Sequence, residues 1–347
     1  MPAAPDTPFF ILGSGRCGST LLQAMLSCHP RLYVVPEFSY FGRHDPAIAY
    51  SDPLLDRHVE GYLAACAKDI WWQDMGLDRA SFEDAVRGGV RSAKDIYLWI
   101  LGHIAERRGN RKRRLGDKTQ SYVVFADRIT DLFPKAQFIH LYRDPRDVTA
   151  SYLGLYWCTA GTALRLAGHI KHVFQAAERL ERRVGPERFC TVKYEALVEN
   201  PAEELARLCR FLGEEYDAAM LDYRARRDAG YLEVEGSYKG MSREAVTSSR
   251  IGRYAARTTP RQIWTVERML GERLTRYGYK GTSSTSVPLS WQGAFWAERI
   301  YRKVLRAIRT PGSLLDEGAL LQRRNELVKQ RGESSEDLSS TPGGTGS

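Results

Sequence analysis

Three short stretches of this sequence hold residue types at spacings suited to chemistry. Residues 13–20 read Gly-Ser-Gly-Arg-Cys-Gly-Ser-Thr, between an apolar run at 8–12 and a helical pattern over 18–28. This is the GxxxxGK[ST] frame of a phosphate-binding loop with Ser19 at the lysine position. Its glycines let the backbone wrap closely, so N–H groups and a helix N-terminus face an anion. The lysine that neutralises the outer phosphates of a triphosphate is missing, which argues against a small-molecule kinase. A plain strand–turn–helix connection is the alternative.

A second junction lies at 137–152, QFIHLYRDPRDVTASY. Arg143 ends a strand pattern, and Asp144 is placed to cap a helix that opens at Pro145. Ser151, seven residues past Asp144, falls on the helix face of that end, where it and Arg143 can meet one phosphate. A capped helix with a surface arginine is the plainer reading. The third stretch is VVPEFSYF, where Glu37 sits among aromatic residues that partly desolvate it, as suits a general base. A helix-terminus partner is the alternative for Glu37. His29, in SCHP, suits capping or packing, and His140 lies inside an apolar strand; His29 and His44 are the next candidates for a base.

These residues need a scaffold. The runs at 8–12, 137–142 and 189–193 are short, apolar and bounded like buried parallel strands. Helical patterns cover 95–107, with Ile96, Ile100 and Ile104 in register, and about 121–133. Strands alternating with helices imply right-handed βαβ units and a parallel sheet covered on both faces. Residues 228–258 read as a long loop that orders on binding. A Ser/Thr linker after residue 281 leads to a basic amphipathic helix over 291–309, expected to dock on the protein, with an anionic membrane as the alternative. A further short helix is expected over 314–331, and 332–347 reads as a disordered tail.

The formal charge of +9 favours anionic partners, among them a charged nucleotide. The run Arg107, Arg108 and 111–114 lacks the aromatic partners of a nucleic-acid surface, so it reads as a solvated helix end or an acidic-acceptor contact. The six cysteines show no CxxC pair or zinc spacing, which suits reduced thiols, and no metal site is expected. No apolar stretch has the length of a membrane span, and a cytoplasmic protein is expected.

Taken together, FFILGSGRCGSTLLQAMLSCHP, VVPEFSYF, LGDKTQSYV, LFPKAQFIHLYRDPRDVTASYL, TVKYEALVENPAEELARLCRFLG, SSRIGRY and LTRYGY carry a resemblance across residues 7–280. The chain resembles sulfotransferases that use 3′-phosphoadenosine 5′-phosphosulfate (PAPS), in the bacterial branch similar to tyrosylprotein sulfotransferases. That resemblance implies a three-layer α/β/α fold of P-loop type over 1–281, a helical C-terminal appendage over 282–331, and the tail. It implies sulfuryl transfer from PAPS to an acceptor hydroxyl without a metal. The 5′-phosphosulfate would meet Arg16, Cys17, Gly18, Ser19, Thr20 and Leu21, and the 3′-phosphate Arg143 and Ser151. Tyr194 would lie near the adenosine, and Ser249, Arg250 and Arg253 in a loop closing over the nucleotide. Glu37 takes the place of the glutamate base. Lys118, in GDKT, falls near the bridging oxygen, a role Arg16 can share; a surface Asp117–Lys118 ion pair is the plainer reading. A non-catalytic nucleotide-binding scaffold remains the other alternative. The acceptor, whether carbohydrate, phenol or tyrosine, lipid or natural product, is not fixed.

Overall fold

A computed structural model describes residues 7–68, 72, 77–110, 114–155, 162–225, 248–283 and 286–308. Five parallel strands form one sheet: β1 (Phe9–Leu12), β2 (Leu32–Val35), β3 (Arg114–Asp117), β4 (Gln137–Tyr142) and β5 (Phe189–Lys193), in the order β2-β3-β1-β4-β5. The register pairs Phe10 with Asp117 on one side of β1 and Leu12 with His140 on the other. Helices cover the sheet, among them α1 (Ser19–Cys28), α2 (Ala93–Arg107), α3 (Ala126–Leu132), α4 (Pro145–Leu153), α5 (Ala163–Val184) and α6 (Pro201–Leu212).

Alternation along the strands sorts the core into two layers. Phe9, Ile11, Leu32, Val34, Ile139, Leu141 and Val192 share one cluster with Leu22, Met25 and Leu26 of α1 and Leu205 and Leu208 of α6. Phe10 points the other way, stacking on Tyr97 of α2 at 6.1 Å and on Phe138 at 5.5 Å. His140 meets Phe174 of α5 edge-on at 5.9 Å, and burial there lowers its pKa to about 4. With both faces covered, every residue of β1 and β2 is buried, the pattern of a parallel sheet.

The strands at 8–12, 137–142 and 189–193 match expectation. β2 and β3 do not appear in the sequence reading. β3, Arg-Leu-Gly-Asp, has one apolar side chain, and its Gly116 makes room for Phe9: a Cβ there would lie 2.4 Å from that ring. Arg114 corrects the reading of the basic run. It is part of β3, donates to the Leu212 carbonyl and to Gln137, and lies over the Phe9 ring at 5.6 Å. Residues 111–113 lie outside the described residues.

The helix expected over 121–133 is instead a 3-10 turn at Gln120–Phe125 followed by α3. Tyr122 causes the break, because its hydroxyl donates to the Phe38 carbonyl at 2.6 Å and accepts the Tyr40 N–H at 2.9 Å. Much of the long loop read at 228–258, the 314–331 helix and the tail also lie outside the described residues.

The chain separates into two compact units, residues 1–148 with 169–253, and residues 149–168 with 254–347. The second unit holds α7 (Pro260–Leu270) and α8 (Leu289–Ile308), the latter close to the expected 291–309 helix. There Phe295 and Trp291 of α8 pack with Trp264 of α7 and Leu164. Leu289, Trp296 and Ile300 stay exposed, with Arg299 over the Trp296 ring at 5.0 Å.

Candidate active site

Each strand of the sheet delivers a candidate residue at its carboxyl end. β1 runs into the loop 13–20, and β2 ends two residues before Glu37. β3 ends just before Lys118, β4 just before Arg143, and β5 just before Tyr194. Because the strands are parallel, these five ends share one edge, the edge where ligands of open α/β sheets bind.

The loop takes its shape from backbone that only some residues adopt. Gly15 and Gly18 have φ of 70° and 97°, and Arg16 between them has φ 53°. Gly18 precedes α1 and lies against Tyr194, where a Cβ would fall 2.4 Å from the ring. Beneath the loop the Cys17 side chain is buried in the core, and that burial pushes its thiol pKa up. Arg16, Thr20 and Leu21 are half-buried and Ser19 is buried.

Glu37 and Lys118, far apart in sequence, come together. Lys118 Nζ lies 3.5 Å from Glu37 Oε2, the lysine side chain fully buried and the carboxylate 13% exposed. This overturns the surface ion pair with Asp117 as the plainer reading. Asp117 is buried beside Lys118, receives Tyr97 OH at 3.0 Å and Thr119 Oγ1 at 2.7 Å, and is pushed up to about pKa 7 by desolvation. Thr119 Oγ1 in turn accepts the Phe38 N–H at 3.1 Å and lies 2.9 Å from the Phe38 carbonyl, the second acceptor within reach of its single proton. Glu37 is thus clamped beside Lys118 by its own neighbour in the chain.

Gln120, which the sequence reading missed, joins the pair to the loop. Its amide lies between Glu37 and Ser19. The orientation that satisfies both sides has the N–H group 3.2 Å from Glu37 Oε1 and 3.3 Å from Oε2, with the carbonyl receiving the Ser19 hydroxyl. Its backbone carbonyl accepts the Gly13 N–H at 3.3 Å.

A second group forms where β4 meets α4. Asp144 caps the helix as expected, accepting the Arg146 N–H at 2.9 Å and pairing with that guanidinium at 2.7 Å. Arg143 stacks over Tyr194 at 4.6 Å, lies 3.4 Å from Asp147, and donates to the Arg250 carbonyl. Asp147 also accepts the Gly252 N–H at 2.8 Å, and Glu195 accepts the Asp144 N–H at 3.0 Å. Asp147 and Glu195 were likewise missed. Burial raises the Tyr194 pKa. Of the late-loop residues, Ser249 and Arg253 are exposed and Arg250 is half-buried. Ser151 lies on α4, half-buried.

The histidine candidates are engaged elsewhere. The His29 ring accepts the Arg31 N–H at 3.1 Å and donates to the Glu215 carbonyl at 2.8 Å, a packing role. His44 is buried against Trp72 at 5.4 Å and Cys66 at 3.8 Å. Among the described residues no three His, Cys, Asp or Glu side chains group to hold a metal ion, and no helix is long and apolar enough to cross a membrane. The five described cysteines are free thiols.

The sulfotransferase family model matches residues 8–218, which span all five strands, the Glu37–Lys118 pair and Arg143. This chain belongs to the sulfotransferase family. It is 28% identical over 308 residues to the nodulation protein NoeE of Sinorhizobium fredii, covering 78% of this chain and 65% of that one. A protein-tyrosine sulfotransferase of Drosophila melanogaster is 24% identical over 218 residues, covering 62% of this chain and 39% of its own length. This sulfotransferase-family chain thus spans 65% of the length of NoeE and 31% of an uncharacterized relative from Aquifex aeolicus. Among solved structures, the sulfotransferase domain of the Synechococcus PCC 7002 olefin synthase superposes with a TM-score of 0.54 at 28% identity, covering 76% of this chain and 94% of that domain. The sulfotransferase domain from the curacin biosynthetic pathway gives 0.55 at 20% identity, covering 80% and 99%, which shows a shared fold.

Proposed function

We propose that this protein transfers a sulfuryl group from PAPS to an acceptor hydroxyl and releases 3′,5′-adenosine bisphosphate. The observation that carries this reading is the Glu37–Lys118 pair at 3.5 Å, joined through Gln120 to a phosphate loop that has Ser19 in place of lysine. The loop fits an anionic donor. Gly15, Arg16 and Gly18 turn the backbone through positive φ just before α1, so the loop N–H groups and the helix N-terminus come together, while the missing Cβ of Gly18 admits the Tyr194 ring.

In this reading the loop residues Arg16, Gly18, Ser19, Thr20 and Leu21 hold the 5′-phosphosulfate, with Cys17 contributing only its backbone. Arg143 and Ser151 hold the 3′-phosphate, Tyr194 borders the adenosine, and Ser249, Arg250 and Arg253 close over it. Glu37 takes the proton of the acceptor hydroxyl as its oxygen bonds to sulfur. The bond from sulfur to the 5′-phosphate oxygen breaks, and Lys118, with Arg16, stabilises the charge gathering on that oxygen. The Lys118 side chain is fully buried, so its charge is screened less than it would be in water. No metal is required, because the donor has one fewer charged group to neutralise than a triphosphate.

The acceptor is a carbohydrate, phenol, tyrosine, lipid or natural-product hydroxyl, and α8 is a candidate for peripheral contact with an anionic membrane. The test is turnover with labelled PAPS in the presence of EDTA, alongside thermal shifts with PAPS, adenosine bisphosphate and Mg·ATP. Transfer that persists in EDTA is the expected result. Strict dependence on Mg·ATP overturns the reading in favour of a kinase, and tight nucleotide binding without turnover points to a scaffold.

A further inference from the structure

The Glu37 carboxylate needs more than Lys118 to act as a base. A cation beside one oxygen leaves the group free to swing about its last torsion, and proton transfer requires an oxygen within hydrogen-bond reach of the acceptor. We propose that Gln120 is the positioning residue for Glu37 and couples it to the Ser19 hydroxyl of the donor loop. The proposal rests on the reading of Glu37 as the base.

The geometry is specific. The Gln120 N–H group lies 3.2 and 3.3 Å from the two carboxylate oxygens, while Lys118 Nζ is 3.5 Å from Oε2. An amide set across both oxygens fixes the plane of the carboxylate. The backbone that carries this amide is held on both sides: the Gln120 backbone carbonyl accepts the Gly13 N–H, and Thr119, one residue earlier, accepts the Phe38 N–H. A glutamine serves where an arginine or lysine would not, because its far end must accept. Ser19 has one hydroxyl proton and gives it to the Gln120 carbonyl. A phosphate group in the loop competes for that proton. Gln120 therefore meets the base with its N–H group and the donor loop with its oxygen, and placement of the two is linked.

The test is a double-mutant cycle measured as kcat at saturating substrates. Gln120→Met keeps the side-chain length and removes both hydrogen bonds, and Gln120→Glu keeps the shape and sets a second carboxylate against Glu37. Each is expected to lower kcat about tenfold or more, the usual effect of losing a hydrogen bond to a charged group. Their acceptor KM is expected to change less than kcat. In a Glu37→Gln background, where no base remains to be positioned, Gln120→Met is expected to change the residual rate less than threefold. An equal loss in both backgrounds, or an unchanged kcat in the single variants, overturns the proposal while leaving Glu37 as the base. Near-normal kcat for Glu37→Gln alone removes the base and the positioning role together. Binding of adenosine bisphosphate, followed by thermal shift, shows that each variant is folded, and if Gln120→Met does not fold the same cycle is run with Gln120→Glu.

Discussion

Asp117→Asn isolates a buried titratable group beside Lys118. Asp117 has no solvent exposure, and desolvation lifts its pKa from 3.8 to about 7 despite hydrogen bonds from Thr119 and Tyr97 and the nearby Lys118. Between those two values the folded protein keeps a proton that the unfolded chain releases. Stability therefore falls as pH rises through that window and levels off above it. At about 1.4 kcal/mol per pH unit, the interval costs about 4 kcal/mol. Asparagine is the same size and does not titrate, so it lacks this slope. Relative to the variant, the wild type is expected to lose on the order of 5–10 °C in Tm between pH 4.5 and 8. The assay is a pair of thermal melts at half-unit pH intervals, with the difference in Tm plotted against pH. A difference that stays constant over that range refutes the reasoning, since it means that Asp117 is already ionised at pH 4.5 and held as the partner of Lys118. A falling difference means that below neutral pH the lysine charge is not offset by its neighbour in sequence and is directed at Glu37.

Glu37→Gln and Lys118→Ala are each expected to lower kcat by about 10²-fold or more, with donor affinity falling much less for Glu37→Gln, measured by steady-state kinetics and nucleotide titration. Arg143→Ala is expected to weaken PAPS by about 10- to 100-fold and to weaken the analogue lacking the 3′-phosphate much less, in line with loss of a charge-assisted hydrogen bond; equal weakening makes Arg143 structural, through Tyr194, Asp147 and the Arg250 carbonyl. Gly18→Ala meets both an unfavourable φ of 97° and the Tyr194 ring 2.4 Å from its Cβ, so melting should drop by several degrees and donor binding with it; an unchanged Tm shows that the ring moves aside without cost.

The phosphate loop and the cap at Asp144 were legible because each is local: glycine spacing after an apolar strand, and an aspartate before proline. β1 and β4 were legible because burial on both faces writes an apolar run; β5 was read from Phe189, Cys190 and Val192 although its Thr191 is exposed, and β2, an equally apolar Leu-Tyr-Val-Val, went unread. β3 left no such run, since its Gly116 serves the Phe9 ring and its Asp117 faces Tyr97. The Glu37–Lys118 pair was reached through resemblance, as no spacing rule joins residues on different strands. Gln120, Asp147 and Glu195 are common polar residues whose work depends on which strand ends lie side by side. For Gln120 one signal was available, its place two residues after Lys118 in GDKTQ. Arg114 was misread because the sequence shows a run of like charges and not the strand that takes its last member inward.

The strand order also bears on how the chain is made. β1 is synthesised first yet ends in the middle of the sheet, between β3 and β4. Roughly 100 residues separate Leu12 from Arg114, and at ribosomal speeds of about 5–20 residues per second the Phe-Phe-Ile-Leu strand spends about 5–20 s with both edges unpaired. Such an apolar, uncharged edge is the kind that neighbouring nascent chains pair with. Recombinant yield should accordingly respond to slower initiation, lower temperature or added chaperone more than to any surface substitution, and a fragment ending before residue 137 should be recovered as insoluble protein.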